Sequence, residues 1–208
     1  MRNPSLAALT ALTLLAGCQS AAPIRFYTLL PAATRDAAPA QDPAFRIELG
    51  AVTIPSQVDT PKIVIRESAG RLAPVEGQRW IAPLADEVRA SLSAALTQKL
   101  GVPDIGYASA SETKGLPLYR VRVSLRRFES ILGSQALIDA TWTVSSASDA
   151  ARSATCDSRV ESSIAGGFDA LAEGHQRALA VLAGRIAQGL EALNAGKASN
   201  VCVAAEAG

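Results

Sequence analysis

Three segments with the same two-residue rhythm decide the fold: residues 119–126 read YRVRVSLR, residues 136–145 read ALIDATWTVS, and residues 154–164 read ATCDSRVESSI. In each segment apolar side chains alternate with polar ones, which is the pattern of a strand that buries one face and exposes the other. Strands that follow one another closely in the chain commonly pair antiparallel. The sequence therefore predicts an antiparallel meander, with Cys156 on its inner face.

The polar positions of these strands carry charges of both signs. Opposite charges on neighbouring strands are the ordinary way to solvate an exposed sheet face, so we interpret them as a ladder of surface ion pairs. Contact with a partner or with lipid headgroups is a second interpretation, and acid–base catalysis by the carboxylates is a third. The charged positions are Arg120, Arg122, Arg126, Asp139, Asp157, Arg159 and Glu161.

Two helices are predicted around the meander. Between residues 82 and 100 an apolar side chain recurs at every fourth position, Pro83 suits the first turn and Gly101 suits the C-terminal cap. A second helix is predicted from Phe168 to Leu193, a segment rich in alanine and glycine, where the glycines weaken helix propensity but permit close packing on a sheet. The glycines are Gly174, Gly184 and Gly189.

The first part of the chain predicts further strands. Residues 45–54 begin by alternating apolar and polar side chains before Pro55 interrupts them, and residues 62–66 and 71–75 flank residues 68–70 as a hairpin. The fold class that follows is α+β. We expect a mostly antiparallel sheet of about five to six strands with two helices packed on one face, preceded by a signal peptide and a short tether.

The chain begins with a lipoprotein signal. A basic residue is followed by an apolar run too short to span a bilayer, and residues 15–18, LAGC, have the spacing of a lipobox. We predict cleavage after Gly17 and attachment of a diacylglycerol and an N-acyl chain to Cys18, which anchors the protein on a membrane facing the periplasm. Gln19 in place of Asp after this cysteine favours the outer membrane.

These boundaries predict the domain organisation. Residues 1–17 form the signal peptide, residues 18–44 a lipidated tether with one short strand at 24–30, and residues 45–208 a single periplasmic domain. After removal of the signal peptide, 19 basic and 19 acidic side chains remain. This balance gives no indication of a nucleic-acid partner.

Two cysteines remain in the mature chain, Cys156 and Cys202. In a compartment that oxidises thiols they favour a disulfide, whose loop of 46 residues stabilises the fold by about 4 kcal/mol on the chain-entropy model. Two free buried thiols are the alternative that the sequence leaves open.

The sequence carries no recognisable catalytic or metal-binding motif. It lacks a nucleophile elbow, the HExxH and paired CxxC patterns, an EF-hand loop, a P-loop and a dinucleotide fingerprint. The single histidine, His175, lies in the middle of the second helix, where we expect a solvated side chain rather than a catalytic base. We therefore predict no enzyme, no metal, and no cofactor other than the lipid on Cys18.

Residues 77–84 read GQRWIAPL and place a tryptophan immediately before a helix that starts with proline. The simpler interpretation is a hydrophobic staple, in which Trp80 packs back on Leu84 or its neighbours and fixes the entry into the helix. The alternative is that Trp80 belongs to a surface that recognises a partner.

The chain resembles the PqiC-like auxiliary lipoproteins of ABC-type and MCE-type transport systems. The features that carry the resemblance are the lipobox, FYTL at 26–29, VTIP at 52–55 followed by Asp59 and by PKIV at 61–64, and Arg79-Trp80 with Pro83-Leu84. The family often has Arg at the position of Thr60 and an acidic residue at the position of Ala82. Because this chain has neither residue, any role of that Arg and acidic residue in the family is not expected here.

The resemblance implies an accessory protein of intermembrane lipid transport, which docks an MCE-domain protein and its inner-membrane components at the outer membrane. Contact with phospholipid is part of this expectation, and an exposed sheet edge leaves a homo-oligomer open. Six residues are signature positions of the family: Tyr27, Pro55, Asp59, Trp80, Pro83 and Leu84. We expect them to shape the core in preference to making direct contact with lipid.

Two other classes of function are weighed against this one. An envelope-assembly lipoprotein would regulate a cell-wall synthase or help to place lipopolysaccharide. A hydrolase would require His175 or a carboxylate of the sheet face as its catalytic group.

Overall fold

The structure is a computed structural model, and it describes residues 23–32, 43–106, 115–197 and 201–202. The predicted signal peptide and Cys18 lie outside these residues. The strands are β1 Arg25–Tyr27, β2 Arg46–Leu49, β3 Lys62–Ser68, β4 Arg71–Trp80, β5 Leu118–Ile131, β6 Gln135–Ser146 and β7 Ser153–Ser163. The helices are α1 Leu84–Leu100 and α2 Phe168–Asn194, and a 3-10 turn spans Ser56–Val58.

The strands form two sheets, with the orders β1-β4-β3 and β2-β5-β6-β7. Strand β1 is parallel to β4 and β2 is parallel to β5, whereas the other pairs are antiparallel. The α+β class with two helices is confirmed. The expected single sheet of five to six strands is corrected to seven strands in two mixed sheets within the described residues.

The length of β5 explains the division into two sheets. Its first part, Leu118–Val121, pairs with β2. Beyond a register shift between Leu125 and Arg127, β5 lies against β3 instead. There an ion pair of 2.6 Å joins Arg66 of β3 to Glu129 of β5. One continuous strand of 14 residues therefore supports both sheets.

The predicted meander is present as β5, β6 and β7. Alternate side chains over 119–125 are buried, and Cys156 and Val160 line the inner face of β7 as expected. Trp142 at the centre of β6 is fully buried, and its indole N–H donates to Ser158 Oγ at 3.0 Å. The one polar atom of this large ring is therefore satisfied inside the core.

The predicted strand over residues 45–54 ends earlier, at Leu49. Beyond that residue the backbone follows β5 through three separate bonds. The Gly50 N–H donates to Val121 O at 3.0 Å, the Thr53 N–H donates to Val123 O at 3.2 Å, and the Leu125 N–H donates to Thr53 O at 2.9 Å. The predicted hairpin is confirmed as β3 and β4, and both strands run further than the sequence indicated.

Strand β1 falls within the segment that the sequence analysis assigned to the tether, yet it is packed into the folded domain. It pairs with the last three residues of β4, and Leu29 just after it is fully buried. The folded part of the chain therefore includes residues 25–30.

Helix α1 ends at Leu100, as the sequence predicted, and begins at Leu84, so that Pro83 precedes its first turn. Pro83 is its N-cap residue, and Asp86 and Glu87 lie in the first turn near the positive end of the helix dipole. Gly101 ends the helix in the left-handed conformation, with φ 63°, and its N–H donates to Thr97 O at 2.9 Å.

The segment after α1 covers the outer border of β2. The Ile47 N–H donates to Pro103 O at 3.0 Å, and the Ile105 N–H donates to Ile47 O at 2.9 Å. Asp104 between them is buried and accepts the Ser93 hydroxyl at 2.6 Å. The end of α1 is thereby fixed to the edge of the larger sheet.

Side chains of α2 cover part of the opposite border, which is formed by β7. Arg185 donates to the Arg159 carbonyl oxygen at 3.1 Å, and Arg177 donates to that of Ser163 at 3.0 Å. Both carbonyl groups belong to an edge strand, whose outward groups otherwise have no strand partner.

A disulfide joins Cys156 of β7 to Cys202 near the end of the chain, with the Cα atoms 5.4 Å apart. The neighbouring Val201 is fully buried in the core. The bond therefore holds the C-terminal segment against the sheet.

Helix α2 lies on the inner face of β5, β6 and β7, and α1 packs against α2. Two glycines allow this approach, since a Cβ on Gly189 would lie 2.8 Å from Trp142 and one on Gly174 would lie 2.8 Å from Ile164. A Cβ on Gly184 would meet only the end of a lysine side chain of α1, at 3.8 Å. The predicted close packing on the sheet is confirmed for the first two glycines, whereas the third faces α1.

Substituting these glycines should separate packing from helix propensity. Gly189→Ala forces a methyl group against the rigid Trp142 ring, and we expect a loss of roughly 1–3 kcal/mol in the free energy of unfolding. Gly184→Ala is the matched control and should gain up to about 1 kcal/mol, because alanine favours the helix. Urea unfolding followed by circular dichroism measures both. Equal effects of the two substitutions would contradict the close packing.

Candidate functional site

Four of the six signature positions meet where β1, β4 and α1 join. Tyr27 and Trp80 are register partners in the parallel pair β1–β4, and the Ile81 N–H donates to the Tyr27 carbonyl oxygen at 2.8 Å. Pro83 then caps α1, and Leu84 is its buried first residue. This short path fixes the angle between the sheet and the helix.

The other two signature positions, Pro55 and Asp59, flank the 3-10 turn before β3. The Trp80 N–H donates to the Pro61 carbonyl oxygen at 3.0 Å and so ties the end of this segment to the junction. Pro55 lines a cleft of about 100 Å³ beside β3 and β5, and Asp59 is exposed. The structure thus brings four signature positions together and places the remaining pair on a neighbouring turn.

Burial divides the signature positions into two groups. Three side chains are buried: Tyr27, Trp80 and Leu84. Three reach the surface at least partly: Pro55, Asp59 and Pro83. The interpretation of Trp80 as a partner-recognising surface is therefore wrong, because a partner cannot touch its ring.

The Trp80 ring belongs to a cluster of buried rings. It meets Phe128 edge to face with the ring centroids 6.1 Å apart, and Phe128 stacks on His175 at 3.9 Å. Trp80 also meets His175 edge to face at 6.3 Å. These rings come from β4, β5 and α2, so the cluster connects the junction to the centre of the core.

The expected solvated position of His175 is wrong. The ring is fully buried, its Nε2 shares a hydrogen bond of 2.9 Å with Ser130 Oγ, and its Nδ1 has no hydrogen-bond partner in the described part of the chain. Burial lowers the pKa of His175 to about 3, so the imidazole is neutral near pH 7. The spacing Leu171, His175, Leu179 places the histidine on the apolar stripe, which is the signal that indicated burial.

The segment after β1 is held by two side chains that the sequence analysis did not single out. Glu87 of α1 is buried and accepts the Leu29 N–H at 2.7 Å and the Thr28 hydroxyl at 2.8 Å. Gln176 of α2 donates to the carbonyl oxygens of Thr28 at 3.0 Å and Leu30 at 3.3 Å. These residues form what we call the clasp. It fastens the chain that comes from the N terminus to both helices.

Paired charges border the cleft. Glu129 forms ion pairs with Arg66 at 2.6 Å and with Arg127 at 2.9 Å. Burial alone raises the pKa of the Glu129 carboxyl, but hydrogen bonds from the two arginines outweigh burial and hold this pKa below its ordinary value. Glu129 therefore stays ionised and ties β3 to β5 at the cleft.

The outer face of the meander carries a ladder of ion pairs, as the sequence predicted. Arg126 bridges Asp139 of β6 and Asp157 of β7, each at 2.5 Å. A hydrogen bond from the Thr141 hydroxyl and the contact with Arg126 hold the pKa of Asp157 below its ordinary value. Further pairs join Arg120 to Glu48 and Arg159 to Glu161. The carboxylates on this face are engaged as surface partners of arginine.

The family model described as "ABC-type transport auxiliary lipoprotein component" matches residues 27–187, from the end of β1 into α2. The chain belongs to this family. The resemblance inferred from the sequence is thereby confirmed. The family is named for an auxiliary role in transport and not for a catalysed reaction.

Two crystal structures share the fold of this transport auxiliary lipoprotein. One is of a protein described as uncharacterized, which is 16% identical at a TM-score of 0.63 and is matched over 99% of its length and 81% of this chain. The other is of a Xanthomonas campestris protein described as DUF330, which is 18% identical at a TM-score of 0.61, over 99% of its length and 85% of this chain. No curated protein shows a significant match. At these identities the likeness establishes the fold alone.

Within its described residues, the lipoprotein has no group of three or more histidine, cysteine or acidic side chains that could hold a metal ion. Across the same ranges, none of its helices combines the length and apolar character needed to cross a bilayer. The candidate site has three parts. They are the buried junction of β1, β4 and α1, the clasp that holds the segment after β1, and the exposed turn of residues 55–59.

The buried histidine should make stability depend on pH. Because burial lowers the pKa of His175, the unfolded lipoprotein takes up a proton below about pH 6.5 that the folded protein does not. The free energy of unfolding therefore decreases as the pH falls. His175→Phe should remove roughly 3 kcal/mol of that decrease between about pH 7.5 and pH 4.5. This is the only histidine, so urea unfolding of both proteins over this range isolates its contribution. Identical pH profiles would refute the prediction.

The clasp should depend on one carboxylate. Glu87→Ala leaves the Leu29 N–H and the Thr28 hydroxyl without their acceptor, and we expect a loss of about 2–3 kcal/mol in the free energy of unfolding. Hydrogen exchange at residues 28–30 should accelerate at the same time. Asp86→Ala is the matched control, because it removes an exposed carboxylate from the same turn and should cost under about 1 kcal/mol. Similar losses in the two variants would exclude a special role of Glu87.

Proposed function

We propose that this lipoprotein is the outer-membrane accessory component of an MCE/ABC-type intermembrane lipid transport system. It docks the transport assembly at that membrane and in this way supports envelope integrity. The observation that carries the proposal is the family match over residues 27–187, because a transport auxiliary acts through other proteins. Its partner is an MCE-domain protein together with the associated inner-membrane components.

The proposed attachment is a lipid on Cys18. The LAGC lipobox at 15–18 and the lipoprotein description of the family support it. Each buried methylene of the acyl chains contributes about 0.8 kcal/mol, so a diacylglycerol with an N-acyl chain suffices as an anchor. Gln19 after the cysteine supports sorting to the outer membrane. The proposal requires no further cofactor.

The dimensions of the cleft favour docking over carriage of lipid. Its volume of about 100 Å³ is well below the roughly 300 Å³ at which small-molecule sites begin. Wider depressions of about 310 Å³ between the helices and about 420 Å³ on the outer sheet face are open to solvent. Among these depressions, all lined by described residues, none would enclose a phospholipid, so we expect phospholipid to touch the surface of this domain.

The turn formed by residues 55–59 is the proposed docking position. Pro55 and Asp59 are signature positions that reach the surface, so packing of the core does not by itself explain them. The cleft beside Pro55 is lined by Leu72, whose exposed side chain offers an apolar contact next to the charged side chains of Arg66 and Glu129. Binding positions on loops held by a rigid scaffold commonly have this form.

Crosslinking in cells, followed by purification of the lipoprotein and mass spectrometry of bound proteins and lipids, tests the proposal. The wild-type protein should recover an MCE-domain protein. Asp59→Lys should reduce that recovery roughly tenfold, which corresponds to the loss of one contact of about 1.4 kcal/mol. Asp149→Lys is the matched control, since it changes an exposed aspartate in the turn between β6 and β7, and it should leave recovery unchanged.

Two outcomes would count against this function. Recovery of a cell-wall synthase or of the lipopolysaccharide machinery without any MCE-domain protein would overturn it and favour envelope assembly. An equal loss of recovery in both aspartate variants would refute docking at the turn of residues 55–59.

A further inference from the structure

Exposed apolar side chains are concentrated at the corner where β1 meets the end of β4. Among the described residues, seven large apolar side chains are exposed, and four of them lie here. They are Ile24, 50% exposed; Phe26, 57%; Leu30, 40%; and Ile81, 58%. The backbone bond from the Ile81 N–H to Tyr27 O holds Ile81 beside the strand. We call these four side chains the corner patch.

Folding does not account for the corner patch. Tyr27 points into the core next to Phe168, and the alternation along a strand turns its neighbour Phe26 to the opposite face. Isolated exposed apolar residues are normal on a protein surface, but a group that includes an aromatic ring marks a contact surface. The corner patch therefore points to an occupant outside the domain.

The distance to the lipid anchor identifies the occupant. Ile24 follows Cys18 by six residues and Phe26 follows it by eight. A fully extended chain spans about 3.5 Å per residue, so Ile24 lies within roughly 21 Å of Cys18 and Phe26 within roughly 28 Å. The clasp fixes the segment directly after β1 to both helices, so this strand cannot separate from the domain. A lipid on Cys18 therefore keeps the corner patch close to the bilayer surface.

The chemistry of the corner suits a phospholipid surface. Aliphatic and aromatic side chains bury themselves at the boundary between headgroups and acyl chains. Arg79, partly exposed and the register partner of Phe26 on the same face, supplies a cation for anionic headgroups. Four partly exposed side chains offer only a few hundred Å², short of the roughly 800 Å² that each partner of a stable protein complex buries. Contact with a bilayer needs no such area, since the anchor makes it an intramolecular event.

We propose that the corner patch inserts into the interfacial layer of the membrane that holds the Cys18 lipid, so that the domain rests on the bilayer through the β1–β4 corner. This inference rests on the lipid anchor proposed above. The domain then keeps a defined orientation on the membrane, with β1 facing the headgroups. Lipid contact is made by the surface of the fold as well as by the acyl chains.

Tryptophan reporters test this proposal in the lipidated protein. The two natural tryptophans, Trp80 and Trp142, are buried, so Phe26→Trp adds an indole whose signal is the difference from wild type. The protein is reconstituted in vesicles of phosphatidylethanolamine and phosphatidylglycerol, with and without brominated phospholipid. The added indole should shift its emission to shorter wavelength and lose at least half of its intensity to the brominated lipid. Ile81→Trp provides a second reporter if the first variant does not fold.

Val181→Trp is the matched control, because Val181 is 42% exposed on α2, away from the corner patch. Its indole should remain unquenched. Two results would overturn the inference and leave the anchor intact. One is equal quenching of the indoles at positions 26 and 181. The other is no quenching in Phe26→Trp and Ile81→Trp while the protein still floats with the vesicles. A spectral shift that appears only when a transport protein is added, without lipid, would assign the corner patch to a protein partner. Failure of the lipoprotein to float would refute the anchor and this inference together.

Discussion

The close approach of α2 to the inner face of β5, β6 and β7 is the constraint on which the other elements depend. Gly174 and Gly189 have no side chain at the points where Ile164 and Trp142 lie, so the helix backbone can approach the sheet closely there. α1 packs against α2, and the rings of Trp80, Phe128 and His175 join β4 and β5 to the same helix. The junction of β1, β4 and α1 is therefore positioned by a helix that is distant from it in sequence.

The proposed docking function requires contact surfaces in a fixed relation, and buried groups of this fold provide that relation. The signature residues that define the junction are mostly inside, where they set the angle between strand and helix. The surfaces proposed for contact, the turn of residues 55–59 and the corner patch, lie at the margins of that rigid centre. The clasp connects the segment after β1, which lies nearest in sequence to the proposed lipid anchor, to both helices. A force on that proposed anchor would therefore be passed to both helices through Glu87 and Gln176.

Local patterns in the sequence predicted the local elements well. The two-residue periodicity specifies the strands over residues 119–126, 136–145 and 154–164. Pro83 and Gly101 mark the two ends of the first helix. Neither signal depends on the rest of the chain. Periodicity does not encode contacts between residues far apart in sequence. Three features depend on such contacts: the pairing of β1 with β4, the presence of a second sheet, and the acceptor role of Glu87. The burial of His175 could have been predicted, because its spacing from Leu171 and Leu179 places it on the apolar stripe of α2. The expectation of a solvated side chain gave more weight to the polarity of histidine than to this spacing.

The coverage of the larger sheet's borders has a consequence for how copies of the protein meet. The segment of residues 103–105 bonds to β2 on one side, and Arg177 and Arg185 occupy carbonyl groups of β7 on the other. A border whose hydrogen-bonding groups are partly engaged is a poorer template for another chain, so growth of this sheet into a fibril is less favourable at both borders. Copies that meet at this sheet are then joined more readily by side-chain contacts between complete domains, which leave each fold intact and allow the copies to part again.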